Sequence, residues 1–331
     1  EMAIARLGVF AVFRLSPALS TWANEAMPTV VTPVLFCTIL LIIGLLTYTT
    51  FTFMDKKLDA QLGEAATDEP EEQFKVSDVG KLFTSKTFLI VAGLCVLYYS
   101  AIFPFQKFAT GMLEANLNMP TDKAAGLFSW FPIGAMVLTP FLGAFLDKKG
   151  KGATMLLFGS LLLIICHLVF AFVVPSTQSA FIAYSTIVIL GISFALVPAA
   201  LWPSVPKIIE EKLLGSAYSL IFWVQNIGLF FVPLLIGAVL ETSNADNIPV
   251  QEAKAKIEKI TVQADEAKLA GDTEKVEQLR EEADSVLIPY DYTTPLVIFA
   301  GFGISALLVA IYLKRYDKKK NLGLEEPNIK E

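Results

Sequence analysis

Seven uninterrupted apolar stretches, each long enough to cross a bilayer, constrain this chain more than any other feature. They fall at roughly 31–54, 87–113, 124–146, 153–174, 180–205, 216–240 and 294–313. A helix needs ~20 mainly apolar residues to cross ~30 Å of hydrocarbon. An eighth stretch, 2–22, is long enough but contains Arg6 and Arg14. The stretches lack the apolar–polar alternation of an outer-membrane barrel. Pro132, Pro140, Pro198, Pro203 and Pro233 lie inside them, which membrane helices tolerate. The expected fold class is an all-α polytopic membrane protein.

The charges agree. The chain has 26 basic and 32 acidic residues, and 41 of these fall in 55–86, 243–291 and 314–331. The remaining positions are too apolar to cover a soluble globule. That excludes a soluble enzyme, a nucleic-acid-binding domain and a disordered chain. The lipid bilayer is the expected partner, and nucleic acid is not. The net charge of −6 is carried by 243–291, with 6 basic and 12 acidic residues. It marks a solvated appendage and says nothing about a ligand's charge.

Cys37, Cys95 and Cys166 lie singly in apolar stretches, without metal-site spacing. Gly301–Ala306 matches a dinucleotide pattern only formally, because it lies inside a membrane stretch and not after a strand. The sequence shows no P-loop, no HExxH and no nucleophile elbow. No catalytic residue, cofactor or metal is expected.

Lysine and arginine in short loops orient a membrane chain. One side receives Lys56, Lys57, Lys75, Lys81 and Lys86, then Lys148, Lys149 and Lys151. It also receives Lys207 and Lys212, and finally Lys314, Arg315 and Lys318–Lys320. The short loops of the other side carry only Lys123. The basic side is expected to be cytoplasmic, which puts 55–86 and 314–331 inside and 243–291 outside. Residues 55–86 are acidic and aperiodic, so they read as a solvated linker. In 243–291, Ile257, Ile260, Ala264 and Ala267 recur near helical spacing, as do Val276, Leu279, Ala283 and Val286. Gly271-Asp272 breaks the pattern. That predicts a helical hairpin, read as a spacer or, alternatively, a protein-docking module.

The strongest local motif is GAFLDKKGKG, with Gly143, Asp147, Lys148, Gly150 and Lys151 in a tight loop between two spans. Glycines permit close backbone approach. Asp147 can face the positive N-terminus of a neighbouring helix, and the lysines stay with the headgroups. Taken alone, the motif is also readable as a simple basic turn. The pattern resembles the loop signature of the major facilitator superfamily, departing at Gly152, where a second basic residue is usual. Trp202-Pro203, Gly215-Ser216-Ala217-Tyr218 and Gln225-Asn226-Ile227-Gly228-Leu229 resemble the branch that contains the lysosomal dipeptide transporter and its bacterial relatives. Ile4–Gly8 (IARLG) is similar to a further element of that branch, with Val9 replacing its serine.

The resemblance implies two six-span halves around a midplane solute site, in a bacterial inner membrane. Residues 1–54 would be the last two spans of an N-terminal half, the first of them truncated. Residues 87–331 would be a complete C-terminal half carrying the insert and the tail. About four spans would be missing upstream. Arg6 would then face the cavity as a carboxylate clamp, or else serve as an interdomain charge, and Arg14 reads as a gate. Tyr98 and Tyr99 offer phenols to a solute or simply pack. Trp130, Trp202, Gln225 and Asn226 would line the C-terminal side of the cavity. Gln225 and Asn226 point about 100° apart, so one should face the cavity and the other a neighbouring helix. Lys107 should sit at the outer interface, and His167, the single histidine, in a supporting helix.

The expected function is secondary transport of a small organic solute, a dipeptide or similar zwitterion, by alternating access, with the signature loop of Gly143, Asp147, Lys148, Gly150 and Lys151 as a conformational switch that stabilises one conformation. A polytopic membrane enzyme and a non-transporting scaffold using the hairpin are the alternatives. One histidine and no mid-membrane carboxylate pair argue against the enzyme.

Overall fold

The computed structural model describes residues 2–22, 31–62 and 76–329, all of it helix, turn or irregular chain. The loop 23–30 and residues 63–75 of the expected linker, Lys75 among them, lie outside the described residues. Two compact units emerge, one of residues 1–13 with 76–331 and one of residues 14–75.

Helix α1 is Met2–Trp22 and α2 is Val31–Leu62. In α2 no 31–58 side chain is buried. Helix α2 runs past the expected end of its span into 55–62, and a short α3, Val76–Thr84, ends the linker. The linker is therefore partly helical. The reason in α3 is Leu82, which is 1% exposed and anchors the segment to the core. Phe83, beside it, meets Phe88 edge-on at 6.1 Å.

The larger unit continues with α4 (Lys86–Leu117), α5 (Thr121–Phe128), α6 (Trp130–Lys149) and α7 (Gly152–Leu168). A π turn, Val169–Val173, leads into α8 (Val174–Thr177). Then come α9 (Ala180–Ile208), α10 (Leu214–Ser243), α11 (Ile248–Leu269), α12 (Thr273–Ser285) and α13 (Thr293–Lys320). Among the described residues, seven helical segments are long and apolar enough to span: Val31–Leu58, Lys86–Leu117, Thr121–Lys149, Gly152–Thr177, Ala180–Ile208, Glu211–Ser243 and Thr293–Lys320. They coincide with the seven apolar stretches.

Proline explains the irregularities. The break between α5 and α6 at Ser129 precedes Pro132, which has no N–H to give the carbonyl four residues back. The Ser129 hydroxyl donates to the Gly126 carbonyl at 2.6 Å. Likewise Pro175 leaves the Ala171 carbonyl without its helical donor, and the Thr293 hydroxyl donates there at 3.4 Å.

Helix α9 is central, packing on α6 and α7. Small residues allow that approach. A Cβ added at Gly191 would lie 2.4 Å from the Phe131 carbonyl oxygen, and one at Gly159 2.4 Å from Val197 Cγ2. The Tyr98 hydroxyl donates to the Ser193 carbonyl at 2.7 Å and lies 2.9 Å from Ser193 Oγ. Ser193 Oγ donates onward to the Gly159 carbonyl at 2.7 Å. One polar chain thus ties α4, α9 and α7. His167 is fully buried, with Nδ1 2.9 Å from the Leu163 carbonyl and its ring against Phe105 and Phe299.

Helices α11 and α12 form the hairpin, turning at Gly271 (φ +78°), with Asp272 Oδ1 accepting from the Lys275 N–H at 3.0 Å. Ile260, Ala264 and Ala267 are buried, while the α12 face is half-buried. Its feet are stapled by Asn244, which is wholly buried. Asn244 Nδ2 donates to the Leu240 and Asp291 carbonyls at 2.9 and 3.0 Å, and Oδ1 accepts from the Asp291 N–H at 2.8 Å. Beside it Glu241 accepts from the Tyr290 hydroxyl at 2.6 Å and pairs with Lys254. Asn244→Ala should strand these partners and cost about 1–3 kcal/mol. Limited proteolysis would read it as faster cleavage near the feet, with the rest of the bundle intact.

Candidate functional site: an aromatic wall and the signature loop

Four helices supply the wall. The Arg6 guanidinium of α1 lies over the Phe194 ring of α9, 3.9 Å from its centroid. This is a cation–π placement that leaves the guanidinium's edge N–H groups for another acceptor. Phe194 meets Tyr99 of α4 edge-on at 6.2 Å, and Tyr99 stacks on Phe103 at 5.3 Å. Trp202 Nε1 donates to the Tyr99 hydroxyl at 3.0 Å. The Trp202 ring lies on Phe222 of α10 at 4.7 Å, and the Tyr218 hydroxyl donates to the Trp202 carbonyl at 3.2 Å. Arg6, Phe194, Tyr99 and Trp202 are thus one contiguous cluster, in which Phe194 and Tyr99 are buried and Arg6 and Trp202 are half-buried.

Phe103 also lines an open cavity of about 600 Å³, with Phe13, Pro104, Gln106, Lys107, Thr110 and Leu229. The cavity's polar groups come from one turn of α4, so Lys107 faces a cavity shared with Phe103.

The other expected residues divide. Tyr98 is 0% exposed, its hydroxyl is taken up by Ser193 and its ring meets Tyr99 edge-on at 6.0 Å, so it backs the cluster from within the helix packing. Adjacent helical residues diverge by about 100°, which is why Tyr98 and Tyr99 part company. Gln225 is buried, and its Oε1 accepts from the Cys95 thiol at 3.3 Å. Asn226 is exposed, with Nδ2 donating to the Phe222 carbonyl at 2.8 Å. Trp130 is half-exposed and meets Tyr184 edge-on at 5.7 Å, apart from the Trp202 cluster. Arg14 is exposed on α1, in the smaller unit.

The signature loop joins α6 to α7. Lys151 and Gly150 have φ of +71° and +70°. Gly150 has to be glycine on two counts, since a Cβ would also lie 2.4 Å from the Glu325 carbonyl oxygen. At Gly152 a Cβ would lie 2.8 Å from the Leu324 carbonyl oxygen. The departure from the usual signature therefore makes room for the tail. Gly143 faces open space, so close approach does not explain it. Lys148 is exposed.

Among the described residues Asp147 is not seen to cap the start of α7. That place is taken by Glu325, whose carboxylate accepts from the Thr154 N–H at 2.7 Å. Asp147 Oδ1 instead accepts from Asn328 Nδ2 at 3.1 Å. The loop, the C-terminal end of α9 and the tail meet here, so Lys148, Lys149, Lys151, Lys207 and Lys314 share one end of the bundle. Lys86 lies 5.5 Å over the Tyr312 ring.

Phe194, Phe103 and Phe222 were missed by sequence reasoning. Among 25 phenylalanines nothing local distinguishes them; only tertiary packing selects the ones beside Arg6, Tyr99 and Trp202.

Comparison with known proteins agrees with this geometry. The family model described as Major Facilitator Superfamily matches residues 1–233. The lysosomal dipeptide transporter MFSD1 of Mus musculus is 30% identical over 176 residues, covering 52% of this chain and 37% of that protein. The Danio rerio protein of the same name is 30% identical over 193 residues, 57% of this chain and 39% of the relative. The Homo sapiens protein is 28% identical over 176 residues, 52% and 37% respectively. The chain thus spans under two fifths of the length of these curated relatives. Seven spanning segments, a glycine-hinged Asp-Lys-Lys loop between two of them, and a family match over most of the chain converge: this protein belongs to the Major Facilitator Superfamily of multi-pass membrane transporters.

Proposed function

We propose that the protein is a secondary transporter that moves a dipeptide or similar zwitterion by alternating access. The observation that carries the reading is the Arg6–Phe194–Tyr99–Trp202 wall. A guanidinium held by its face keeps its fork for a carboxylate. Trp202 and Phe103, the partly exposed rings of the cluster, suit an apolar side chain, and Gln106, Thr110 and Lys107 supply polar contacts in the cavity that Phe103 lines. Asn226 and Trp130 remain candidates for the cavity surface. Tyr98 and Gln225 take supporting roles, holding α4 against α9 and α10. Arg14 acts as a gate.

The curated relatives' name, lysosomal dipeptide transporter, supports the substrate class. In this reading residues 87–331 form the C-terminal half and residues 1–54 the end of the N-terminal half. The lysine-rich end faces the cytoplasm and the hairpin faces away from it.

The test is counterflow in proteoliposomes with the full-length protein. A labelled dipeptide should exchange, and unlabelled dipeptides should compete. Uptake of a sugar or lipid that dipeptides do not compete for would overturn the substrate class.

A further inference from the structure

The chain after α13 folds back over the signature loop in two unlike parts. The first is an anchor. Asn321 and Gly323 turn the chain with φ of +53° and +78°. Leu324 is 1% exposed, and its N–H donates to Asp317 Oδ1 at 3.0 Å. The Leu324 and Glu325 carbonyls accept from the Gly152 and Lys151 N–H groups, each at 3.0 Å. The Glu325 carboxylate accepts from the Thr154 N–H at 2.7 Å, with Lys151 and Lys314 at 3.9 and 4.0 Å. Lys207 Nζ donates to the Gly323 and Glu326 carbonyls at 3.1 and 2.8 Å.

The second part is a tip, held lightly. The Asn328 N–H donates to the Leu146 carbonyl at 3.2 Å, and the Ile329 N–H to the Asp147 carbonyl at 3.3 Å. Asn328 Nδ2 reaches Asp147 Oδ1 at 3.1 Å. Asn328 and Ile329 are both exposed, and the bond from Asn328 Nδ2 to Asp147 lies at the surface, where water competes for it. Asp147 is the one acid of the signature stretch 143–152.

The geometry points to a two-part latch: residues 322–326 are a fixed anchor, and Asn328–Ile329 are a releasable tip that positions Asp147 of the signature loop. The anchor keeps the tip at high local concentration, so release is readily reversed. With the tip seated, the Asp147 carboxylate is engaged by Asn328. With the tip off, it can accept from another donor. In the transporter reading above the signature loop stabilises one conformation of the alternating-access cycle, and the tip then biases that equilibrium. Asn328 is a positioning residue, and its effect on solute movement rests on the transporter reading above.

Hydrogen exchange of the full-length protein in nanodiscs tests the two parts. The Lys151 and Gly152 amides should exchange slowly, and those of Asn328 and Ile329 about tenfold faster or more. Equal protection would mean a static strap, and equal lack of protection would mean no anchor; either overturns the latch. Asn328→Asp sets a second carboxylate beside Asp147, and a chain cut after Pro327 removes the tip. Both should speed exchange of the 148–150 amides and change initial dipeptide counterflow by about threefold or more. Asn328→Gln, which keeps the amide, should stay near wild type. Loop amides unmoved by either disruptive variant would overturn the proposal. If wild type moves no solute, the transporter reading falls, while amide exchange still decides the latch.

Discussion

Gly191→Leu should leave little folded protein in the membrane. The Cβ alone would lie 2.4 Å from the Phe131 carbonyl oxygen and 3.5 Å from the Ala135 nitrogen. Both are backbone atoms of α6, with no rotamer to yield, so α6 and α9 would have to separate. Their contact surrounds Phe131, Phe194 and Ala135, all nearly inaccessible. Overpacking of a tight core costs about 1–3 kcal/mol, occasionally more, and leucine here should reach or exceed the top of that range. Fluorescence-detected size exclusion and melting in detergent would read the loss. Gly134→Ala, whose Cβ meets the Val188 carbonyl oxygen at 3.2 Å, should be milder. Gly301→Leu, into open space, should be near neutral. A monodisperse Gly191→Leu protein with an unchanged melting temperature would show that the α6–α9 contact is looser than described.

The second large effect belongs to Arg6. Arg6→Ala should weaken dipeptide binding by about 1.5–3 kcal/mol, the range for a hydrogen bond to a charged group. That corresponds to roughly tenfold to a hundredfold in KM where KM reports affinity. Arg6→Lys should fall between, because lysine keeps the charge but loses the planar fork. The informative measurement is a cycle with the ligand. Amidating the dipeptide's C-terminus should weaken wild type strongly and Arg6→Ala hardly further. Equal losses in both proteins would separate Arg6 from the carboxylate. Thermal stability should move little, since the main described contact of the guanidinium is the Phe194 face.

How much of this was legible depended on distance along the chain. Span count was legible because an apolar run of that length has few other solutions. The hairpin was legible from local spacing and the Gly271-Asp272 break. The divergence of Gln225 and Asn226 followed from helix geometry alone, though which partner each would find did not. The helical turns at 55–62 and 76–84 were missed, since their acidic surroundings hid the anchoring Leu82. Arg6 and Trp202 stood out as rare residue types in apolar surroundings, whereas their partner Phe194 did not. Glu325 was unreadable for a different reason. Its partner Thr154 is 171 residues away, and nothing in the local pattern of a charged tail specifies the surface it covers. Gly152 could have been a clue, because a glycine where a basic residue is usual means something must come close.

The staple at Asn244 has a practical consequence. It joins the chain ends of the 243–291 insert to each other, with Asp291 bonded through both its N–H and its carbonyl. The separation of those ends is therefore set by the bundle, whatever hangs between them. A rigid helical protein spliced in place of residues 251–284 would be carried at a fixed angle. A fiducial grafted there would give particle alignment in electron microscopy the rigid extramembrane mass that a small transporter otherwise lacks.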